Sequence, residues 1–261
     1  MVRGLYTAYT GMINEQNRLD VISNNLANST TVGYKEESTV SQSFKDYLAI
    51  KIRDGSNGFV DHSIGTLNPG VKIGETYQNW DQGSLRQTEM PYDLAIAGKG
   101  FFNIRVTDKA GNEKIYYGRN GHFARTNEGY LVDKDGNRLQ GKGGDIKIPT
   151  DAADVAIKRN GDIYADNQLI DKVKISDFED YNYLKLYGDN FYDTVQGAAE
   201  KDPDPDTQII QGYTEQSNVN VIDEMVQMIT VTRAYEAGQK MIQAEDDLNQ
   251  QAANKVGAVG S

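Results

Sequence analysis

Val221–Ile242 reads VIDEMVQMITVTRAYEAGQKMI, and near the other end of the 261-residue chain Leu5–Leu26 reads LYTAYTGMINEQNRLDVISNNL. In the first stretch Val221, Met225, Met228, Thr232, Tyr235, Gln239 and Ile242 follow alternating steps of four and three. That is the a/d seam of a coiled coil, with Thr232 and Gln239 as polar breaks. A second line, Ile222, Val226 and Ile229, runs beside it. In the N-terminal stretch Leu5, Met12, Leu19 and Leu26 recur every seven residues, with Ala8 and Ile22 between them and Glu15 as an interruption. At 100° per residue the C-terminal apolar arc covers roughly 200°, wider than the ~100° stripe that faces a single core. One partner helix leaves part of that arc wet. The spacing predicts two terminal helices that either pair to close a globular domain or, once paired, pack against copies of the same chain.

Charge is distributed to suit contact at the ends. Residues 1–35 hold three basic and two acidic side chains and residues 217–261 three and six, leaving 21 and 30 in the middle of a chain with net charge −11. Nearly neutral ends and an acidic centre argue against a nucleic-acid surface, which needs a basic patch to displace phosphate counterions. No run of about 18 apolar residues is present, so no membrane span is expected. The start, MVRGLYTAYTGMINEQ, lacks the unbroken apolar core of a secretory signal, so work outside the cell needs another export route. The absence of cysteine removes disulfides, thiolate nucleophiles and zinc–thiolate sites together.

Between the ends, period 3.6 gives way to short alternating runs broken by turns. Strands are expected at Leu94–Ile96, Phe101–Val106, Lys114–Tyr117, Tyr130–Val132, Ile146–Ile148 and Val173–Phe178, separated by turns such as Ala110-Gly111-Asn112, Asp135-Gly136 and Asn160-Gly161. The acidic, proline-broken EKDPDPD at Glu200–Asp206 reads as a surface loop. Residues 36–75, with Gly55, Gly58, Gly65, Pro69 and Gly70, are expected to be extended or irregular. The fold class that follows is α+β: terminal helices (1–35 and 217–261) pairing as a coiled-coil domain, a connecting segment (36–75), and a central all-β domain of short strands (76–216).

Motifs for chemistry fail on inspection. Gly136–Lys142 has P-loop spacing up to its lysine, but Gly143 stands where Ser or Thr must hold magnesium, and DIKIPT follows instead of a helix. Asp133, Asp135 and Asn137 have calcium-loop spacing, yet the twelfth position is Gly144 where a bidentate Glu belongs, so a tight Asp-Gly turn explains them better. His62 and His122 have no neighbouring acid or nucleophile in sequence to make either a general base. The aromatic cluster Phe178, Tyr181, Tyr183, Tyr187, Phe191 and Tyr192 lies among Asp177, Glu179, Asp180, Asp189 and Asp193, which would repel nucleic acid; core packing or a subunit contact fits it better. No catalytic residue, cofactor or metal is expected.

Three ordered motifs carry a specific resemblance. The run Ser23-Asn24-Asn25-Leu26-Ala27-Asn28-Ser29-Thr30-Thr31-Val32-Gly33-Tyr34-Lys35 resembles the N-terminal signature of bacterial flagellar rod and hook proteins, SNNLAN followed by a threonine and GYK or GFK. Ser217–Ile242, with Arg233-Ala234-Tyr235-Glu236, is similar to that family's C-terminal signature. Asp93–Phe102, including Gly98, Gly100, Phe101 and Phe102, resembles the D-x-A-I-x-G-x-G-F-F start of its β domain.

The resemblance implies a structural axial subunit of the flagellar basal body, exported by the flagellar type III apparatus and added to a helical homo-oligomer beside other rod and hook subunits. It implies an inner layer of terminal helices and an outer β domain. Chain length and the 36–75 segment point to the distal rod first and the proximal rod second. The expected assembly interface is Leu5, Met12, Leu19, Ile22, Leu26, Val221, Met225, Met228, Ile229, Tyr235 and Ile242. The alternative is a cell-wall hydrolase or carbohydrate-binding β domain flanked by oligomerising helices, which would need two carboxylates facing one cleft. Locally, Asn24, Asn25 and Asn28 suit a chain leaving a helix and Gly33 a turn, while Asn220 suits a helix cap followed by Asp223 and Glu224. Arg233 and Glu236, three apart, are placed to pair or to face solvent.

Overall fold

The computed structural model describes residues 2–51, 62–107, 111–152, 154–188 and 190–258. Gly55, Gly58, Ala110, Asp189 and the His62 side chain, all named above, lie outside the described residues. The described chain forms two compact units, one from residues up to Ala27, Glu37–Gln78 and those from Asn220 onward, the other from Asn28–Glu36 and Asn79–Val219.

The first unit contains helix α1 (Val2–Ala27), strands β1 (Glu37–Ser43), β2 (Tyr47–Lys51), β3 (His62–Leu67) and β4 (Val71–Gln78), and helix α2 (Val221–Ala258). Asn220 caps α2, its Oδ1 accepting from Ile222 N at 3.1 Å, and Asp223 and Glu224 sit in the positive first turn. The helices pack antiparallel: a side chain at Gly4 would meet Glu245, one at Gly238 would meet Met12 Cγ at 2.6 Å, and Asn25 bonds Glu224. Residues 36–75, expected to be extended or irregular, carry regular pairing where they are described. β1 pairs β4 from Glu37↔Gln78 to Ser43↔Val71, and β2 pairs β3 from Tyr47↔Leu67 to Lys51↔His62. Both ribbons are two-stranded, and such a ribbon needs an outside surface to be stable. α1 supplies one to the β1–β4 ribbon: Asn14 Nδ2 donates to Ser41 Oγ at 3.0 Å, and Thr10 Oγ1 donates to Pro69 O, just before β4, at 3.4 Å.

The second unit is a set of antiparallel ladders. The largest sheet runs β17 (Leu184–Tyr187), β18 (Phe191–Thr194), β8 (Glu113–Gly118), β7 (Phe101–Thr107), β11 (Arg138–Gly141), β10 (Leu131–Val132) and β9 (Ala124–Arg125). β12 (Gly144–Asp145) pairs β11, and β16 (Ile175–Phe178) pairs both β7 and β19 (Glu200–Lys201). A separate meander joins β13 (Val155–Ile157), β14 (Asp162–Ala165) and β15 (Gln168–Lys172), while β5 (Leu85–Gln87) pairs β21 (Tyr213–Glu215) and β6 (Leu94–Ala97) pairs β20 (Gln208–Gln211).

Strand β7 organises the interior, because consecutive side chains point to opposite faces of a sheet. Phe102 and Ile104 enter one core with Leu94, Ile96, Leu131, Leu139, Ile163 and Ile209; Phe101 enters a second with Phe178, Leu184 and Tyr192. Trp80 closes the second core, its ring 4.9 Å from Tyr192 and 5.5 Å from Phe101. The aromatic cluster is thus divided: Phe178 and Tyr192 are core, whereas Tyr183 and Tyr187 are exposed.

One expected strand is not a ladder. Ile146 and Ile148 are fully buried, but Ile146 N donates to Leu139 O and Ile148 N donates to Gly129 O, so this segment serves two neighbours and pairs regularly with neither. The P-loop look-alike is the β11–β12 hairpin, and the calcium look-alike is a turn in which Asp133 Oδ1 accepts from Asp135 N and Asn137 N at 2.8 and 2.9 Å.

Replacing Ile163 by alanine removes a fully buried side chain from the larger core and is expected to cost about 2–5 kcal/mol. Leu169→Ala, on the neighbouring β15 but exposed, is expected to stay within about 0.5 kcal/mol of the parent. Urea unfolding followed by the fluorescence of Trp80, the only tryptophan, checks both.

Candidate functional site: the helical pair and a buried ion triad

In the helical unit, the face of α2 that is turned inward carries Glu224, Met228, Val231, Thr232, Tyr235, Gly238, Ile242 and Glu245, with Glu224 and Val231 fully buried and the others partly so. Met228, Tyr235 and Ile242 belong to the seam expected from sequence. Val221, Met225 and Ile229 do not join them; they lie on the outer side with Ile222 and Val226. Ile222, Val226 and Ile229 are 73%, 58% and 53% exposed. On α1, Ile22 is buried, Leu5, Met12, Leu19 and Leu26 are half-buried, and Tyr6, Tyr9 and Ile13 are exposed. Of the Arg233–Glu236 motif, Tyr235 alone is half-buried; Arg233, Ala234 and Glu236 face solvent.

The asparagines of the N-terminal motif act where α1 ends. Asn25 is 1% exposed; its Nδ2 donates to Glu37 O at 2.8 Å and to Glu224 Oε1 at 3.1 Å, and its Oδ1 accepts from Glu37 N at 3.0 Å. One amide side chain therefore ties α1, the first residue of β1 and the first turn of α2. Ser23 and Asn24 are exposed. Asn28, the first residue assigned to the other unit, accepts from Thr31 at both its backbone and its side-chain oxygen.

In the β unit, the rest of the motif leads to a cluster that sequence reading missed. Lys35 Nζ donates to Glu215 Oε1 at 2.6 Å and to Asp81 O at 2.8 Å; Arg119 Nη1 donates to Glu215 Oε2 at 3.0 Å and Nη2 to Gly98 O at 2.9 Å. Gly83 N also donates to Glu215 Oε1, at 3.0 Å. All three charged side chains are 5% exposed or less. Backbone contacts run beside them, with Gly33 N donating to Glu215 O at 2.8 Å and Glu36 N to Asn218 Oδ1 at 2.7 Å. The N-terminal motif therefore reaches the anion through Lys35, and the central motif reaches its second cation through Gly98 O. The available signal was the charged residue closing an otherwise uncharged motif, Lys35 after Gly33-Tyr34.

Gly33 lies at φ +72, and a Cβ there would collide with the Arg119 carbonyl carbon and come within 2.5 Å of Asn120 N. Both the left-handed backbone and the close approach require glycine. Gly100 is similarly crowded, a Cβ meeting Ile175 Cγ2 at 2.6 Å. One sequence reading needs correction: His122 does have an acid partner, its Nδ1 standing 2.7 Å from Oδ1 of the buried Asp93, brought there by an isolated bridge between residues 29 apart in sequence. Among the described residues no group of three His, Cys, Asp or Glu side chains is arranged to hold a metal, and no helix is long and apolar enough to cross a membrane.

Burial holds the Lys35 ammonium below the ordinary lysine value of 10.5, with Glu215 pulling the other way and Arg119 adding to the depression. Burial raises the phenols of Tyr117 and Tyr181, helped in Tyr181 by its hydrogen bond to Asp177.

Comparison with known proteins agrees with the three motifs. Residues 5–35 match the flagella basal body rod protein model, 95–165 the flagellar hook protein FlgE/F/G D1 domain, and 210–255 the flagellar basal body rod FlgEFG protein C-terminal model; no catalytic family is among these. The chain is 33% identical to the flagellar basal-body rod protein FlgG of Caulobacter vibrioides, across 95% of this chain and 97% of that one. It is 33% identical to FlgG of Bacillus subtilis, across 97% and 99%, and 30% identical to the rod protein FlgF of C. vibrioides, across 99% and 100%.

Two outcomes are expected. Gly33→Ala destabilises the β unit by about 1–3 kcal/mol or more, read by Trp80 fluorescence in urea. Because folded Lys35 gives up its proton at lower pH than the unfolded chain, its contribution to stability rises with pH between its depressed pKa and 10.5 and levels off above. The tyrosines act oppositely, their contribution falling as pH climbs above 10. Lys35→Met should remove the rise and keep the fall in unfolding free energy measured from pH 7 to 11; an unchanged profile would sink the assignment.

Proposed function

The chain belongs to the flagellar basal-body rod protein family and is a structural axial component of the rod; from that premise we propose that it self-assembles head to tail into a helical tube that carries torque from motor to hook. The observation that carries this reading is the exposed apolar line Ile222, Val226 and Ile229 beside Val221 and Met225, on a helix whose other face is already occupied. Burying side chains of this kind is worth about 1.5–3 kcal/mol each, enough over several copies to drive association. Heterologous contacts that do not close on themselves generate a tube.

The expected interface therefore divides into two sets. Ile22, Leu5, Met12, Leu19, Leu26, Met228, Tyr235 and Ile242 hold the two helices of one subunit together as a coiled-coil pair. Val221, Met225 and Ile229, with Ile222 and Val226, meet neighbouring subunits. Export through the flagellar type III apparatus suits a chain with no cysteine, and the distal rod is the position we favour, with the proximal rod second. Other rod and hook subunits are the neighbours.

In dilute subunit, amides in 2–27 and 221–258 should exchange much faster than those of 79–219, and slow on assembly. Ends as protected as the middle at every concentration would mean a self-contained globular protein. Substituting Ile222 and Val226 together by glutamate should abolish sedimentable polymer while leaving the Trp80-detected unfolding of the β unit unchanged.

A further inference from the structure

The only carboxylate inside the buried triad is also the last of its members to be delivered. Glu215 lies 180 residues after Lys35 and 96 after Arg119, so in any chain supplied from its N-terminus both cations are in place long before the anion. The same late segment brings β20, which pairs β6 and seats Ile209 in the larger core, and β21, which sets Glu215 opposite Leu85. Asp81 is the other carboxylate near Lys35, but it is exposed, and its bond to Nζ comes from the backbone carbonyl. A β unit lacking residues 208–216 would hold these two cations beside each other without the carboxylate that both bond in the finished fold, with one surface carboxylate for relief. A buried charge stripped of its partner destabilises by an amount comparable with much of the stability of an ordinary domain.

We propose that Glu215 makes folding of the β unit conditional on arrival of the C-terminal segment, so that a chain still being delivered stays unfolded. The device does not depend on what the finished subunit assembles with. Hydrophobic burial sets the sign elsewhere in the unit: Leu94, Phe102, Ile104, Leu131 and Leu139 are all supplied by residue 139, and apolar burial alone would let them collapse early. The unmatched pair of cations opposes that collapse until the anion arrives. In the finished fold Glu215 satisfies Lys35, Arg119 and Gly83 N together, which no single surface carboxylate could replace.

The test uses the full chain with three variants, Glu215→Gln, Lys35→Met, and both together, followed by Trp80 fluorescence in urea. Glutamine keeps the shape and removes the charge. Glu215→Gln is expected to lower the folded-to-unfolded ratio roughly 10²- to 10³-fold, and adding Lys35→Met to recover at least about tenfold by removing the surplus cation. If Glu215→Gln fails to fold at all, recovery of a cooperative transition in the double variant decides the matter. A ratio within about threefold of the parent, or a double variant no better than the single, overturns the proposal. Timing is read on wild-type chains arrested during synthesis and probed by limited proteolysis. Residues 79–200 should be cleaved while Glu215 is still inside the ribosomal exit tunnel and protected once it has emerged; protection beforehand also overturns it.

Discussion

Glu215 is held by two cations and a backbone amide in a place that water does not reach, and the β unit is arranged around that fact. A buried ion triad is a poor way to add stability, since the desolvation of three charges consumes most of the Coulombic gain. What it supplies is uniqueness. Lys35 belongs to the segment that follows α1, Arg119 follows β8, and Glu215 ends β21, so only one mutual register of the three satisfies all the charges. An apolar cluster at the same point would tolerate slippage by a residue; a charge cluster with Gly33 wedged against Arg119 does not.

A different constraint governs the helical unit. α2 spends its seam on α1 and still carries a full apolar line on the side away from it, while the buried side holds Asn25 and Glu224 in contact. This departs from an ordinary amphipathic helix, in which polar residues face out and apolar ones in, because apolar side chains here lie on both sides. A polar contact in the interior fixes the register of α1 on α2, and the apolar surplus outside is exposed in the single subunit.

Much of this was legible in the sequence, for reasons that can be named. Heptad spacing revealed both helices because period 3.6 persists over many turns, and the Asn220 cap and the Asp135-Gly136 turn rest on local chemistry. Short strands such as β9, β12 and β19 were not legible, since two residues carry no period. Residues 36–75 were unreadable as strands because burial in β1 and β4 is slight and alternation correspondingly faint. Three of the seven seam members on α2, Val221, Met225 and Gln239, fall off the observed face, because Glu224, Gly238 and Glu245 do not look apolar although they point inward. The triad and the Asp93–His122 contact were missed because they join residues far apart in sequence; the local mark, Lys35 closing an uncharged stretch, does not name its partner.

The three motifs that reveal the family are therefore of two physical kinds. SNNLAN and the stretch after Asn220 encode the helical pair, through Asn25 and the α2 cap, and their chemistry is local enough to be recognised by eye. Gly33-Tyr34-Lys35 and Gly98 encode the interior of the β unit, where Gly33 touches the Arg119 backbone, Lys35 reaches Glu215 and Gly98 lends its carbonyl to Arg119. A rod protein that kept its helices but lost Lys35 would retain the seam between α1 and α2 and lose one of the two cations that fix Glu215. Reading the first motif as a single helix-ending signature conceals this, because its first half answers to α2 and its second half to the β unit.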